Sequence, residues 1–149
     1  MRLVLQRVTR AHVEVAGERV AAIGRGLLVL VGIAAGDGER EAAQAADKLL
    51  HLRVFPDPAG KMNLDVRQAA GSVLLLSQFT LVGSTARGRR PSFDGAAPPA
   101  PARELVNRLA ELLRRAGVGV ECGRFGAHMQ VSLVNDGPVT FWLQVKPGS

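Results

Sequence analysis

The sequence predicts an α/β fold: one β-rich domain spanning residues 1–149, with two main helices. Three observations carry that expectation. Apolar residues alternate with polar ones, or run together, over many short stretches, which is the signature of strands. Only two stretches, 39–52 and 101–116, show helical spacing. No internal repeat and no linker-like run divides the chain, and 149 residues suit one core.

Met1–Thr9 carries apolar residues on both faces and reads as a central strand, in which the charged Arg7 requires a partner. His12–Val15 and Arg19–Ile23 flank Ala16-Gly17-Glu18 as a short hairpin. Leu27–Ile33 (LLVLVGI) is a continuous apolar run typical of a buried strand. Gly36-Asp37-Gly38 opens a helix over Glu39–Leu52, with Ala42, Ala46, Leu49 and Leu50 on one face and acids early, where the helix dipole favours them. Arg53–Phe55 is a short strand and Pro56–Gly60 a turn. Val73–Leu76 is a core strand that runs into a polar tip, Ser77-Gln78-Phe79-Thr80.

From Gly83 to Ala100 the composition shifts to glycine, proline, serine and arginine. This segment reads as an exposed loop carrying Arg87, Arg89 and Arg90, and a loop of that length in a compact domain is usually functional or mobile. Pro101–Ala116 is the clearest helix. A proline stands near its start, Leu105, Leu109, Leu112, Leu113 and Ala116 share one face, Arg114 and Arg115 lie in the last turn, and Gly117 caps it. Val118–Cys122 is a further strand, and Gly123–Met129 leads into Gln130–Val145 (QVSLVNDGPVTFWLQV). That last stretch reads as two alternating strands joined by a turn at Asn135-Asp136-Gly137-Pro138. Pro138 cannot donate to a ladder, so it belongs at a strand start, a bulge or an edge. Taken alone, the Gly-Pro bond is expected to be trans, since only about 5–6% of folded X-Pro bonds are cis.

Composition narrows the function classes. Hydrophobic residues at 47% and charged residues at 21% argue against disorder. No apolar run approaches the roughly 18 residues of a membrane span, and the N-terminus does not read as a signal peptide. The lone Cys122 excludes an internal disulfide framework and a cysteine-rich metal site, so a cytoplasmic, reducing setting is expected. The net charge of +6 is dominated by arginine. Such an excess suits an anionic partner such as nucleic acid, and equally suits solvated surface charge.

The familiar reaction centres are missing. There is no nucleophile elbow, no H-E-x-x-H helix, no phosphate loop and no dinucleotide fingerprint. His12, His51 and His128 are far apart with no metal-ligand spacing, and neither a metal nor any other cofactor is expected. Two polar patches do interrupt apolar strands: Ser77, Gln78 and Thr80 at one strand end, and Asn135, Asp136, Gly137 and Thr140 at the junction. Strand ends are frequent positions for reactive groups on a rigid scaffold, but the same residues also suit a strand terminus closed by local hydrogen bonds.

Those two patches carry a resemblance. Ser77-Gln78-Phe79-Thr80-Leu81 (SQFTL) and Asn135–Thr140 (NDGPVT) together resemble the D-aminoacyl-tRNA deacylase family. Leu5-Gln6-Arg7-Val8, Lys61-Met62-Asn63, Arg89–Phe93 and the Phe125–Met129 segment match as well, so the resemblance covers essentially the whole chain. It implies a barrel-like or curved sheet in a homodimer, with active sites at the subunit interface. It also implies hydrolysis of the ester joining a D-amino acid, or glycine, to the terminal adenosine of tRNA.

On that resemblance Ser77, Gln78, Phe79 and Thr80 form the catalytic patch. The Gly137-Pro138 bond becomes cis, with Val139 and Thr140 beside it, and its carbonyl oxygens hold the substrate's α-amino group and exclude an L side chain. Arg7 braces that turn, Phe125 and Met129 wall the adenosine pocket, and Arg87, Arg89 and Arg90 contact tRNA phosphates. A Thr80 nucleophile would need a base that the sequence does not place, so attack by water assisted by the tRNA 2′-hydroxyl is the preferred route. The rival classes are a non-catalytic basic RNA-binding domain and a general serine or threonine esterase.

Overall fold

The computed structural model describes residues 1–148. Its centre is β1 (Arg2–Val15), a 14-residue strand used along both edges. On one edge its first half pairs antiparallel with β3 (Gly26–Gly32), and its second half pairs with β2 (Glu18–Ile23) across a bulge at Val13/Glu14. On the other edge it pairs along nearly its whole length with β8 (Gln130–Gln144). β3 continues in parallel to β6 (Ser72–Ser77), and β6 in parallel to β7 (Gly119–Cys122), giving the order β2-β1-β3-β6-β7 with β8 attached to β1. β2 curls round to approach β6 and β7, so the sheet is barrel-like. A two-stranded ribbon, β4 (Phe55–Pro56) and β5 (Met62–Leu64), completes the strands.

Alternation along the central strands makes two cores rather than one. Leu27, Val29, Val31, Val73 and Leu75 face outward onto the helices α1 (Glu39–His51) and α2 (Pro99–Arg115). Leu28, Leu74 and Leu76 face the inside of the curled sheet with Val8, Ala11 and Val13. Burial on both faces is why these strands read as unbroken apolar runs. The helices present Ala42, Ala45, Ala46 and Leu49, and Ala102, Val106, Leu109 and Leu113, to the outer core. Truncating a fully buried leucine such as Leu109 to alanine is expected to cost about 2–5 kcal/mol. Helix α2 starts two residues earlier than its spacing predicts and ends one earlier, at Arg115, so that Ala116 is the cap and Gly117 follows it at φ +93°.

Three of the expected strands differ from the observed ones. Met1–Thr9 and His12–Val15 are one strand, because a single partner, β8, pairs on both sides of the junction between them. Gln130–Val145 is likewise one strand, not two strands joined by a turn. Val8 pairs with Asn135 and Gln6 with Thr140, so Asp136–Val139 bulge out opposite Arg7 while both flanks keep the same direction. The short strand expected at Arg53–Phe55 is shifted to Phe55–Pro56. Among the described residues no helix is long and apolar enough to cross a membrane.

The N-terminal ammonium of Met1 is buried, where it donates to the Val145 carbonyl at 2.8 Å and pairs with Asp37 Oδ2 at 2.8 Å. Glu41 is also buried; the N–H groups of Gly148 and Gly38 hold its carboxyl below the usual glutamate range.

Candidate functional site

Strand β6 leaves the sheet at Ser77 and turns directly into a short 3₁₀ helix, Phe79–Val82. The Gln78 N–H donates to the Val31 carbonyl at 2.8 Å, which ties the turn to the end of β3. Gly32 permits this approach: a Cβ there would lie 2.9 Å from the Gln78 carbonyl oxygen. The first N–H groups of a helical turn have no partner within the turn. Here those of Phe79 and Thr80 make no hydrogen bond among the described residues, whereas Leu81 N–H donates to Gln78 O at 3.2 Å. The Gln78 side-chain amide donates to the Thr80 hydroxyl. No histidine or carboxylate is bonded to Ser77 or Thr80 among the described residues.

Beneath this turn lies a cavity of about 500 Å³. Ser77, Gln78 and Phe79 form one side, and Phe125, Gly126, His128 and Met129 another. Phe125 packs on the helix-side core and Met129 on the core inside the sheet, so each has one face in a core and the other on the cavity. Phe79 is 58% exposed and meets Phe93 edge to face, with ring centroids 5.0 Å apart. Ala96, Ala97, Pro99 and Ala102 complete the wall; nothing in their local pattern distinguished them from loop and helix start.

The second polar patch is built separately. Asp136–Pro138 project from β8, and the Gly137–Pro138 peptide is cis. Arg7, only 11% exposed at its side chain, reaches out of β1 and donates to two carbonyls, Asp136 O at 3.0 Å through Nε and Val54 O at 2.7 Å through Nη1. The partner that a charged residue in a central strand requires is therefore main chain, reinforced by the Asp136 carboxylate at 3.5 Å. Asn135 staples the base of the bulge. Its Oδ1 accepts the Val139 N–H at 3.0 Å, and its Nδ2 donates to the Thr140 hydroxyl at 3.1 Å, which also accepts from Gln6 Nε2 at 3.1 Å. Gly137 sits at φ +146°, and a Cβ there would fall 2.8 Å from Val139 N.

The structure thus brings Ser77, Gln78, Phe79, Phe125 and Met129 around one cavity, whose lining does not include Thr80. It does not bring Arg7, Gly137, Pro138, Val139 or Thr140 to that cavity. The bulge instead stands on a strand that, among the described residues, pairs with β1 alone and exposes Val134, Phe141 and Trp142. Arg87, Arg89 and Arg90 are exposed, outside the cavity lining, on a loop pinched by the Ser84–Ser92 bridge. The Cys122 thiol is half-buried and shifted upward by burial, away from thiolate character.

The family profile described as D-Tyr-tRNA(Tyr) deacylase matches residues 4–144. A D-aminoacyl-tRNA deacylase of Geobacter sulfurreducens is 56% identical over 149 residues, covering 100% of this chain and 98% of the relative. One of Thermomicrobium roseum is 56% identical over 143 residues, covering 96% and 93%. Among solved structures, that of a c-Myc DNA Unwinding Element Binding Protein superposes with a TM-score of 0.93 at 42% identity, covering 98% of this chain and 99% of that one. A probable eukaryotic D-amino acid tRNA deacylase superposes with a TM-score of 0.82 at 20% identity, covering 97% and 98%, and shares the fold.

Proposed function

The chain belongs to the D-Tyr-tRNA(Tyr) deacylase family, and on that footing we propose that it hydrolyses the ester between a D-amino acid and the terminal adenosine of tRNA, releasing both. The observation that carries the proposal is the cavity bounded by Ser77–Phe79, Phe125 and Met129, on a chain matched nearly end to end by its relatives. Phe125 and Met129 offer flat and polarisable surface for the adenine. The N–H groups of Phe79 and Thr80 offer two main-chain donors to a developing oxyanion. With no base bonded to Thr80, the attacking water is assisted by the ribose 2′-hydroxyl, and the protein contributes position and charge stabilisation.

Selection against L-amino acids falls to the bulge. The Gly137 and Pro138 carbonyls hold the α-amino group and occupy the space of an L side chain, while Arg7 and Asn135 stiffen the loop from behind. A clash of about 4 kcal/mol gives roughly a thousandfold discrimination. Glycine has no side chain to exclude, so glycyl-tRNA is accepted by the same geometry. Because the bulge does not line its own chain's cavity, it serves the cavity of a second copy. The free edge of β8, with its exposed apolar side chains, supports a homodimer joined there. Arg87, Arg89 and Arg90 contact acceptor-stem phosphates, and the cytoplasm is where such a substrate is met.

A second reading rests on the 42% identical solved structure, whose name is that of a DNA-binding protein: a non-catalytic nucleic-acid-binding domain. Hydrolysis of D-tyrosyl-, L-tyrosyl- and glycyl-tRNA by the purified protein separates the two. Release from the D and glycyl esters, with the L ester spared, is the expected result. Equal cleavage of all three removes the filter, and no cleavage with equal affinity for charged and uncharged tRNA leaves the binding domain.

A further inference from the structure

A second cavity, of about 320 Å³, adjoins the first and shares Ser77 and Phe125 with it as common wall. Its remaining lining includes Arg103 and Asn107 from α2 and Arg124 from the segment after β7. Arg103 lies over the Phe125 ring, with its guanidinium carbon 5.1 Å from the ring centroid. Neither Arg103 nor Arg124 is ion-paired with a carboxylate among the described residues, whereas Arg108, further along α2, is held by Glu39 and Glu111. Arg114 adds further positive charge nearby, donating to Val120 O at 2.9 Å with its guanidinium 3.9 Å from Cys122 Sγ. Two unneutralised guanidinium groups and an amide around one cleft form a site for an anion with several acceptor oxygens.

We infer that this cleft binds the phosphodiester of the substrate's 3′ strand, on the 5′ side of the terminal adenosine, with Arg103 and Arg124 as its donors and Asn107 beside them. The inference rests on the deacylase reading, which puts adenosine against Phe125. A nucleotide's phosphate is one sugar away from its base, so a strand whose last base lies on one face of Phe125 carries its phosphate past that ring. Arg103, which lines the second cavity and not the first, lies over the ring and presents its N–H groups to the phosphate. Such contacts position the strand without reading sequence, as an enzyme serving many tRNAs requires. They are separate from Arg87, Arg89 and Arg90, which sit on the exposed loop.

The test compares two substrates on the full-length protein: D-tyrosyl-tRNA, and the D-tyrosyl ester of adenosine, which has no phosphate. Wild type is measured against Arg103→Gln, Arg124→Gln and the double variant. For the double variant kcat/KM on the tRNA ester is expected to fall by about 10–100-fold, mainly through KM, as for lost charge-assisted hydrogen bonds. Hydrolysis of the adenosine ester stays near wild type, which also shows that the variant is folded. The slope of log(kcat/KM) against log[salt] becomes shallower by about 0.7 for each single-strand phosphate contact removed. Equal losses on both substrates, or no loss on either, overturn the phosphodiester site and leave the deacylase intact. If wild type cleaves neither ester, the deacylase reading fails and the inference with it.

Discussion

The two polar patches that interrupt the apolar strands are supported in opposite ways. Ser77–Thr80 stands where a strand buried on both faces leaves the sheet, over a cavity whose walls are extensions of both cores. Asp136–Pro138 is pushed out of an edge strand and held from behind by two side chains, Arg7 and Asn135. The first patch borders a cavity and is tied to β3 through main chain, by the Gln78 N–H on the Val31 carbonyl; the second is a piece of main chain braced by side chains and outside that cavity's lining. On the proposed function each is half of a site, and the rigid scaffold for the chemistry and the rigid probe for chirality are separate constructions.

If the probe depends on its brace, Arg7→Ala should have the largest effect. Two carbonyls lose a charged donor, each such bond contributing about 1.5–3 kcal/mol, so stability by denaturant unfolding falls by roughly 3 kcal/mol and L-tyrosyl-tRNA rejection weakens. Unchanged L/D selectivity in a folded Arg7→Ala protein would uncouple brace from filter. Gly137→Ala forces a side chain into positive φ and against the Val139 nitrogen, a strain of about 1–3 kcal/mol. Its effect should fall on selectivity, with the cavity lined by Phe125 undisturbed. Asn135→Ala removes the staple and is expected to cost about 1 kcal/mol, read as a lowered unfolding midpoint. Thr80→Ala is the smallest: it leaves main-chain donors in place and retains most of the single-turnover rate. A loss of several orders of magnitude would make Thr80 a nucleophile.

Much of the scaffold was legible in the sequence because burial on two faces, helical spacing and caps are local signals. The need for a partner at Arg7 was legible for the same reason, though its partners Val54 and Asp136 were not, being 47 and 129 residues away. The continuity of β1 and β8 was hidden because it depends on one strand pairing along the other's whole length, which no window of either reveals. The cavity wall from Ala96 to Ala102 was hidden too. Small residues after a glycine- and proline-rich loop look alike whether they line a cavity or merely start a helix.

The claim that the two half-sites complete each other across two copies has a direct test. Gly137→Val should disable the probe and Phe125→Ala the cavity, each leaving little D-tyrosyl-tRNA hydrolysis alone. After the two proteins are unfolded and refolded together, half of the dimers are mixed, and one of their two sites joins an intact cavity to an intact bulge. Recovery to about a quarter of the wild-type rate is the predicted result, as two-fold symmetry requires. A mixture no more active than the mean of its two components would refute that sharing, and would place bulge and cavity in independent roles.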